Sequence, residues 1–307
     1  MKIVFFGTPD FSAKFLSALI ADQNFSVVAV VCQPDAPVGR KKIITAPETK
    51  TLALKNSIPV LQPDKLKNSE IVEQLSTLEA DLFVVVAYGR IIPENILKLA
   101  KLGTINVHPS LLPKYRGPSP IQSAIVNGET ETGISIMLLD ALMDHGPILA
   151  QAKIKLSTDE TPESLRIKAV EIGAPLLVDS LEKFSQGQIV PTPQDDNQAT
   201  ICKLLTRDDG RINWSRTADQ IDAQIRGLTP WPGTWTTWNN VQVKIIKAKI
   251  SAESLVVGQC EIIDGRLIVG TSTTALEIIE LQLEGSKPMP VREFLLGHRD
   301  INNATLE

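Results

Sequence analysis

The chain has 307 residues, 43% of them hydrophobic and 21% charged, with a formal net charge of −4 at pH 7. This length and balance are typical of a globular protein with one large domain or two smaller ones. The negative charge excludes a global electrostatic attraction to nucleic acid, so any basic surface must be local. We expect no signal peptide and no membrane partner, because the first apolar run breaks at Gly7 and no run approaches the roughly 20 residues that span a bilayer.

The three cysteines are far apart and odd in number. Cys32, Cys202 and Cys260 show neither a zinc-ligand spacing nor a disulfide framework. We therefore expect reduced thiols in or near the core, a cytoplasmic protein, and no bound metal.

The N-terminal stretch predicts a strand, a helix and a second strand in close succession. Residues 2–6 and 27–32 are short apolar runs typical of buried parallel strands. Between them, Thr8 is expected to cap a helix whose first residue is Pro9. This order predicts a βαβ unit, hence an α/β, Rossmann-like domain with a parallel sheet. A dinucleotide fingerprint needs three glycines, and this turn has Gly7 alone.

A long polar connection follows between residues 33 and 47. It carries three adjacent cations, Arg40, Lys41 and Lys42. Connections of this length inside compact domains are usually functional or disordered. The residues leave two interpretations open, a solvated basic turn or an electrostatic contact with phosphates.

Helices and strands are then predicted in turn up to residue 184. The predicted helices cover residues 48–56, 69–78, 93–99, 118–127 and 161–184, and the predicted strands cover residues 58–61, 81–87, 102–107, 132–139 and 148–156. Open α/β sheets bind ligands at strand ends, so polar residues at these ends are candidates for a site.

Asn106 and His108 lie at one such strand end, two residues apart, which places both side chains on the same face. Asp144 follows a later predicted strand, and a carboxylate beside an imidazole keeps it oriented. An amide in the same place can donate a hydrogen bond to a developing oxyanion. A buried histidine in a strand-end loop is the alternative interpretation. No nucleophile elbow surrounds Ser110, so a serine-nucleophile site is not indicated.

The character of the sequence changes after residue 201. All four tryptophans lie there, among short alternating segments, and Asp264 with Gly265 predicts a tight hairpin turn. A polar stretch with two prolines precedes this region. We predict an N-terminal catalytic domain over residues 1–187, a linker over residues 188–204, and a smaller, mainly β domain, an OB-like barrel, over residues 205–307.

Several separated motifs resemble those of the folate-dependent formyltransferases. Residues 106–113 read Asn-Val-His-Pro-Ser-Leu-Leu-Pro, and Asp144 stands two residues before Gly146. Within that family, the stretches at residues 6–11, 33–42, 86–89 and 230–235 resemble the members that act on initiator tRNA. The resemblance covers nearly the whole chain, including the second domain.

The resemblance implies a site residue by residue. The family's catalytic trio falls on Asn106, His108 and Asp144. The implied folate site comprises Ser110, Leu111, Leu112, Pro113, Tyr88 and Arg90. We assign contacts with tRNA to two sets of cations, Arg40, Lys41 and Lys42 in the loop and Lys244, Lys247 and Lys249 in the second domain.

The implied reaction moves a formyl group from 10-formyltetrahydrofolate, as co-substrate, to the α-amine of methionyl initiator tRNA, on a monomer and without a metal. Three positions depart from the family pattern. Lys41 replaces a glycine, Arg90 stands where an apolar residue is more common, and His145 stands where threonine is common. For His145 we favour a surface-facing loop residue over a fourth catalytic role.

Two rival classes of function stay open. One is a formyltransferase or formyl hydrolase that acts on a sugar nucleotide, a purine precursor or water. The other is a non-catalytic module that binds tRNA or folate. The tryptophan-bearing second domain argues against most of the first class, and the intact trio argues against the second.

Overall fold

The structure, a computed structural model, describes residues 1–39 and 41–307 and divides into two compact units. The first unit comprises Met1–Gly117, Thr132–Lys155 and Arg166–Ile201. The second comprises Pro118–Glu131, Leu156–Leu165 and Cys202–Glu307. Residues 188–201, predicted as part of a linker, therefore cluster with the first unit.

The strands up to residue 155 in the described chain are short and mostly apolar. They are β1 (Lys2–Gly7), β2 (Ser26–Val31), β3 (Ala36–Val38), β4 (Ile43–Thr45), β5 (Val60–Leu61), β6 (Leu82–Val86), β7 (Thr104–His108), β8 (Glu131–Leu138) and β9 (Ile148–Lys155). The helices over the same part and just beyond are α1 (Asp10–Ala21), α2 (Glu48–Lys55), α3 (Ser69–Thr77), α4 (Glu94–Leu97), α5 (Pro120–Val126) and α6 (Pro162–Ser185). The predicted alternation of helices and strands is confirmed.

Seven of the described strands form the main sheet, in the order β5-β2-β1-β6-β7-β8-β9. The pairs from β5 to β7 are parallel, as the βαβ pattern predicts. Strand β8 departs from this pattern, because it runs antiparallel to β7, with His108 opposite Ser135. All five residues of β6 are buried, as expected for a strand covered on both faces.

The first turn differs slightly from the prediction. Pro9 is the residue before the helix, with extended backbone angles, and α1 begins at Asp10. The Thr8 hydroxyl does not cap this helix but donates a hydrogen bond to the Tyr88 carbonyl oxygen. Gly7 is required here, because a Cβ on it would lie 2.7 Å from the Ser12 Cβ. This close packing ties the turn to the end of β6.

The second unit is mainly β. Beyond residue 201 its elements are α7 (Ala218–Leu228), β10 (Thr234–Trp238), β11 (Val241–Ser251), β12 (Cys260–Ile263), β13 (Arg266–Gly270), β14 (Ala275–Leu283), β15 (Met289–Pro290) and α8 (Val291–Gly297). The strands form an antiparallel sheet in the order β10-β11-β14-β13-β12, with β15 paired to β14. The predicted hairpin turn is confirmed, since Asp264 and Gly265 have φ values of 51° and 74°, both positive as a type I′ turn requires.

The three cysteines are buried, and none forms a disulfide within the described residues, as predicted. Burial raises the pKa of the Cys32 thiol to about 11 and that of Cys260 to about 12. These thiols therefore stay protonated near neutral pH, which makes them core residues and poor nucleophiles.

Candidate active site

Strand β7 presents two polar side chains at its carboxyl end. Asn106 pairs with Val85 of β6 on one side and with Met137 of β8 on the other. His108 lies two residues further along the same strand, so strand alternation puts both side chains on one face. Asn106 is half-buried and His108 is buried, with 4% of its surface exposed. The predicted pairing of an amide with an imidazole is therefore present in the fold.

The two ring nitrogens of His108 have different partners. Nε2 lies 2.8 Å from the carbonyl oxygen of Tyr115. A carbonyl can only accept, so Nε2 carries the hydrogen of this bond. Nδ1 lies 3.6 Å from Oδ2 of Asp144. The Nδ1 edge is thus the one that faces the carboxylate, and Tyr115 holds the ring in that orientation.

Asp144 is held by its backbone as well as by its side chain. Oδ2 accepts a hydrogen bond of 2.8 Å from the Gly117 amide. The residue itself has a φ of 48°, a left-handed conformation that non-glycine residues seldom adopt. Two residues later, a Cβ on Gly146 would lie 2.0 Å from the Leu138 carbonyl oxygen, so only glycine fits there. The loop that carries the carboxylate is therefore tightly constrained.

The side-chain amide of Asn106 differs from the side chains of His108 and Asp144, because it has no hydrogen bond to any of residues 1–39 and 41–307. The backbone of β7 pairs with β6 and β8, so Asn106 can offer a ligand only its side chain. A half-buried amide with its donors unused can hydrogen-bond to an oxygen that gains negative charge.

The segment after β7, assigned to folate binding, has a defined conformation. The Ser110 hydroxyl donates to the Lys114 carbonyl oxygen at 2.6 Å, and the Ser135 hydroxyl donates to the Ser110 carbonyl oxygen at 2.7 Å. The Leu112 amide donates to the Ser135 hydroxyl, and the Gln151 side chain donates to the Leu112 carbonyl oxygen. These bonds join the segment to β8 and β9.

The two remaining residues of this segment are Leu111 and Pro113. Leu111 packs over β8 so closely that a Cβ on Gly133 would lie 2.4 Å from its Cδ2. The peptide bond between Leu112 and Pro113 is cis, which the sequence left undecided. All four residues assigned to folate from this stretch thus lie directly after His108.

Tyr88 and Arg90 follow strand β6, which is the neighbour of β7. The Tyr88 ring is buried against Phe6 in the hydrophobic core, with ring centroids 5.6 Å apart. The Arg90 guanidinium donates hydrogen bonds to the carbonyl oxygens of Pro63 and Asp64. Neither side chain contacts the trio in the described chain, and their assignment to folate stays a prediction.

The cations assigned to tRNA belong to both units. Arg40 lies outside the described residues, whereas Lys41 and Lys42 are exposed between β3 and β4. Lys244, Lys247 and Lys249 are exposed on β11. The Lys249 ammonium lies 3.2 Å from a Glu277 carboxylate oxygen, so part of its charge is neutralised locally. Their contacts with tRNA stay a prediction.

His145 takes part in a charged cluster next to Asp144. Its Nδ1 lies 2.6 Å from Oδ2 of Asp140, and its Nε2 lies 3.5 Å from Oδ2 of Asp196. The hydrogen bond with Asp140 raises the pKa of the imidazole. Asp196 in turn accepts a hydrogen bond from Arg116, which lowers the pKa of that carboxyl. The ring is thus tied to carboxylates on both edges.

Sequence reasoning gave no role to three residues that hold the site together, Tyr115, Gly117 and Gln194. The first two act through backbone atoms, which residue type does not reveal. Gln194 lies in the polar stretch predicted as a linker, where no periodicity marks it.

No group of three or more His, Cys, Asp or Glu side chains among the described residues is arranged to hold a metal ion. No helix in the same residues is long and apolar enough to cross a membrane.

Comparison with known families supports this fold. The model of the family described as "Formyl transferase" matches residues 1–181, and that of "Formyl transferase, C-terminal domain" matches residues 204–299. The chain therefore belongs to the formyl transferase family, which confirms the resemblance drawn from the motifs.

Individual relatives within the family narrow the class of protein to which this chain is similar. The methionyl-tRNA formyltransferase of Roseiflexus sp. (strain RS-1) is 42% identical over 306 residues, which cover 97% of this chain and 93% of the relative. The methionyl-tRNA formyltransferase of Staphylococcus aureus (strain MW2) is 44% identical over 300 residues, 96% of both chains. Similarity at this level over both domains confirms the resemblance to the methionyl-tRNA formyltransferases within the family.

Solved structures share the fold at lower identity. WlaRD, a sugar 3N-formyl transferase, superposes with a TM-score of 0.67 at 19% identity, covering 94% of this chain and 99% of that one. HypX from Aquifex aeolicus, in complex with tetrahydrofolic acid, gives a TM-score of 0.63 at 17% identity, covering 96% of this chain and 47% of that one. These likenesses establish the architecture.

Proposed function

We propose that this chain transfers the formyl group of 10-formyltetrahydrofolate to the α-amine of methionyl initiator tRNA, yielding formylmethionyl-tRNA for translation initiation. The observation that carries the proposal is the carboxylate of Asp144 facing Nδ1 of His108 at 3.6 Å, on the strand face that also bears Asn106. An anion, an imidazole and an amide at one place suit attack of a neutral amine on a formyl carbon.

Asn106 and His108 are proposed to stabilise the negative charge on the formyl oxygen. The amide of Asn106 has donors unused within the described chain and needs no rearrangement to reach a ligand. Nε2 of His108 is engaged with Tyr115, so the Nδ1 edge of the imidazolium is the one assigned to the reacting oxygen. Donors fixed before the reaction cost no reorganisation when charge develops.

Asp144 is proposed to do two things. Its negative charge keeps the His108 ring oriented and stabilises positive charge on that ring during the reaction, because opposite charges attract strongly at a site shielded from water. It also accepts the amine proton, directly or through one water, as the amine attacks the formyl carbon. That proton then passes to N10 of the folate as the bond between the formyl carbon and N10 breaks, which releases tetrahydrofolate and leaves the formyl group on the amine. The Gly117 amide holds Oδ2 at the distance observed, which supports the orienting role.

The folate co-substrate supplies the formyl group, and the segment of Ser110, Leu111, Leu112 and Pro113 is proposed to bind it. The support is the network through Ser135 and Gln151, which holds this segment in one conformation beside the trio. A preordered segment loses little entropy on binding. Tyr88 and Arg90 are included from the motif, and no metal is assigned a role.

Contact with tRNA is proposed at Arg40, Lys41 and Lys42 and at the three lysines of β11. Local groups of cations on a chain of net charge −4 are what a polyanion requires. The proposal also includes domain boundaries at residues 187 and 205, a monomeric state, and the cytoplasm as the site of translation initiation.

A single assay separates this function from its rivals. The purified chain is incubated with 10-formyltetrahydrofolate and methionyl initiator tRNA, and formylmethionyl-tRNA is measured against free formate. A parallel reaction replaces the tRNA with an amino sugar nucleotide. Formylated tRNA as the main product is expected. Free formate or a formylated sugar as the main product, or no turnover at all, would overturn the proposal.

A further inference from the structure

The stretch from Thr192 to Ile201 runs alongside the loops that carry the trio. Thr192 forms an isolated antiparallel bridge with Ile148, the first residue of β9. Near its other end, Thr200 accepts a hydrogen bond of 2.8 Å from the Tyr115 amide through its hydroxyl. Ile201 forms a parallel bridge with Arg116. Tyr115 is the residue that holds the His108 ring, so this stretch reaches the catalytic histidine through one contact.

Gln194 lies within this stretch and joins it to the Asp144 loop. Its Nε2 donates hydrogen bonds to the Asp144 carbonyl oxygen at 2.9 Å and to the Gly146 carbonyl oxygen at 2.8 Å. Its Oε1 accepts a hydrogen bond of 2.9 Å from Nε of Arg116. Carbonyls only accept and arginine only donates, so all three partners require the same orientation of the amide. Gln194 is thus fully committed to its neighbours.

Arg116 is held in place by a second partner. Its Nη2 donates to Oδ1 of Asp196 at 2.8 Å, and its side chain is 11% exposed. Arg116 therefore has little freedom, and the Gln194 oxygen has a fixed donor. The same arginine lies between the Tyr115 carbonyl and the Gly117 amide in sequence, so it belongs to the loop that contacts both His108 and Asp144.

The Asp144 loop needs an external brace. A left-handed conformation on a non-glycine residue is strained and persists where the surroundings over-determine it. Asp144 has this conformation, with a φ of 48°. The two hydrogen bonds of Gln194 fall on the carbonyls of Asp144 and Gly146, one on either side of His145. Because one hydrogen bond falls at Asp144 and the other at Gly146, together they restrain both the direction and the rotation of the backbone between these residues.

We propose that Gln194 is a positioning residue for the formyl transfer, which holds the Asp144 carboxylate against His108. It contacts no reacting atom and acts through the Asp144 loop. The inference rests on the proposed function for its effect on rate, and on geometry alone for its effect on the loop. The two parts are tested by different measurements.

The experiment compares two substitutions at Gln194 with a matched control. Gln194→Ala removes the three hydrogen bonds. Gln194→Glu keeps an oxygen for Arg116 and sets a second oxygen against two carbonyl oxygens, so it should rescue nothing. The control is Gln198→Ala in the same stretch, since Gln198 is exposed and its amide donates to Asp195 in its own turn.

Kinetics test the role in the reaction. Both Gln194 variants should lose roughly 10- to 100-fold in kcat, because a displacement of about 1 Å can cost 100-fold. The KM for tRNA should be unchanged, and Gln198→Ala should match the wild type. In an Asp144→Asn background, Gln194→Ala should lower kcat no further, since residues that act as a unit are not additive. Equal losses in both backgrounds, or a raised KM with unchanged kcat, would overturn the assignment.

Amide hydrogen exchange tests the geometry without reference to activity. Peptides covering residues 113–117 and 140–146 should exchange faster in both Gln194 variants and not in Gln198→Ala. A wild-type chain inactive on methionyl-tRNA would refute the proposed function, and exchange would still decide whether Gln194 braces the loop. Unchanged exchange in an active, folded Gln194→Ala variant would refute the positioning role.

Discussion

Oδ2 of Asp144 lies 3.6 Å from Nδ1 of His108 while accepting a hydrogen bond from the Gly117 amide. At 3.6 Å the carboxylate and the imidazole interact by charge and not by a hydrogen bond. The Gly117 amide therefore sets where the anion stands, and the Tyr115 carbonyl sets how the ring is turned. Both atoms belong to one short loop, which explains why the two side chains keep a common geometry.

Removing the charge of Asp144 tests its role most cleanly. Asp144→Asn keeps the shape and an oxygen for Gly117 but places no anion against His108. We expect kcat to fall roughly 100- to 1,000-fold, in the range found when one stabilising group of a polar site is lost. Formylmethionyl-tRNA production measures the effect, with Asp159→Asn, a change at an exposed residue, as the control. Wild-type turnover in the folded variant would remove Asp144 from the mechanism.

Asn106 is expected to act in the transition state alone. Asn106→Ala deletes an amide with no partner among the described residues, so the fold should lose little stability. The barrier should rise by about 2.7–4 kcal/mol, with the KM values for tRNA and folate unchanged. Steady-state kinetics with each substrate varied in turn decide the point. A rise in the folate KM without loss of kcat would instead indicate ground-state binding.

The basic turn is expected to contribute affinity for tRNA. Replacing Arg40, Lys41 and Lys42 together with glutamine should raise the tRNA KM and flatten its dependence on salt. Each lost phosphate contact removes about 0.7–0.9 from the slope of log affinity against log salt. The control replaces Lys55, Lys65 and Lys67, which carry the same total charge on exposed positions elsewhere. Equal behaviour of the two triple variants would show that net charge alone matters.

Stability should depend on pH through His145. Its pKa in the folded state is raised above the ordinary value of about 6.5, chiefly by the hydrogen bond with Asp140. The stabilisation of the folded state by His145 is therefore complete below about pH 6.5 and is lost as the pH rises through the folded-state pKa of this residue. Melting curves from pH 5 to 9 should show the difference in Tm between wild type and His145→Gln largest at low pH. A difference that grows with pH would contradict this assignment.

Gly133 should resist substitution, because a Cβ there would lie 2.3 Å from the Ala152 carbonyl oxygen and 2.4 Å from Leu111. Gly133→Ala forces β8 and β9 to adjust and should cost about 1–3 kcal/mol of folding free energy. Gly297→Ala is the control, since among the described residues its added Cβ would meet no atom within 4 Å outside its chain neighbours and the nearby backbone of its own helix. Denaturant unfolding of both variants measures the difference, and equal stabilities would show that the strands yield freely.

Local features of this molecule follow patterns that are visible in the sequence. Apolar runs such as residues 3–6 and 82–86 mark buried strands, because only a strand covered on both faces lacks polar alternation. Asp264 and Gly265 mark a hairpin, because both tolerate positive φ. The motif resemblance identified the family, since Asn106, His108 and Asp144 appear in order with their flanking residues. Each of these signals depends on neighbours in the chain.

The helix start at Asp10 shows the limit of such signals. Thr8 has the side chain of a capping residue, yet its hydroxyl bonds to Tyr88 at the end of β6. The competing acceptor comes from 80 residues away, and no local pattern contains it. The antiparallel direction of β8 is a second feature that no local pattern contains. The loop after that strand, and not the strand itself, brings Asp144 to His108.

The sequence by itself determined which residue types are available and that Asn106 and His108 share one face of β7, because strand alternation is a property of the local backbone. The tertiary structure alone decided that Nδ1 of His108 faces the carboxylate, that Tyr115 and Gly117 hold the pair through backbone atoms, and that Gln194 braces a loop 50 residues away. Hydrogen bonds between loops depend on where the whole sheet places those loops, and no periodicity in the sequence encodes the distance between them.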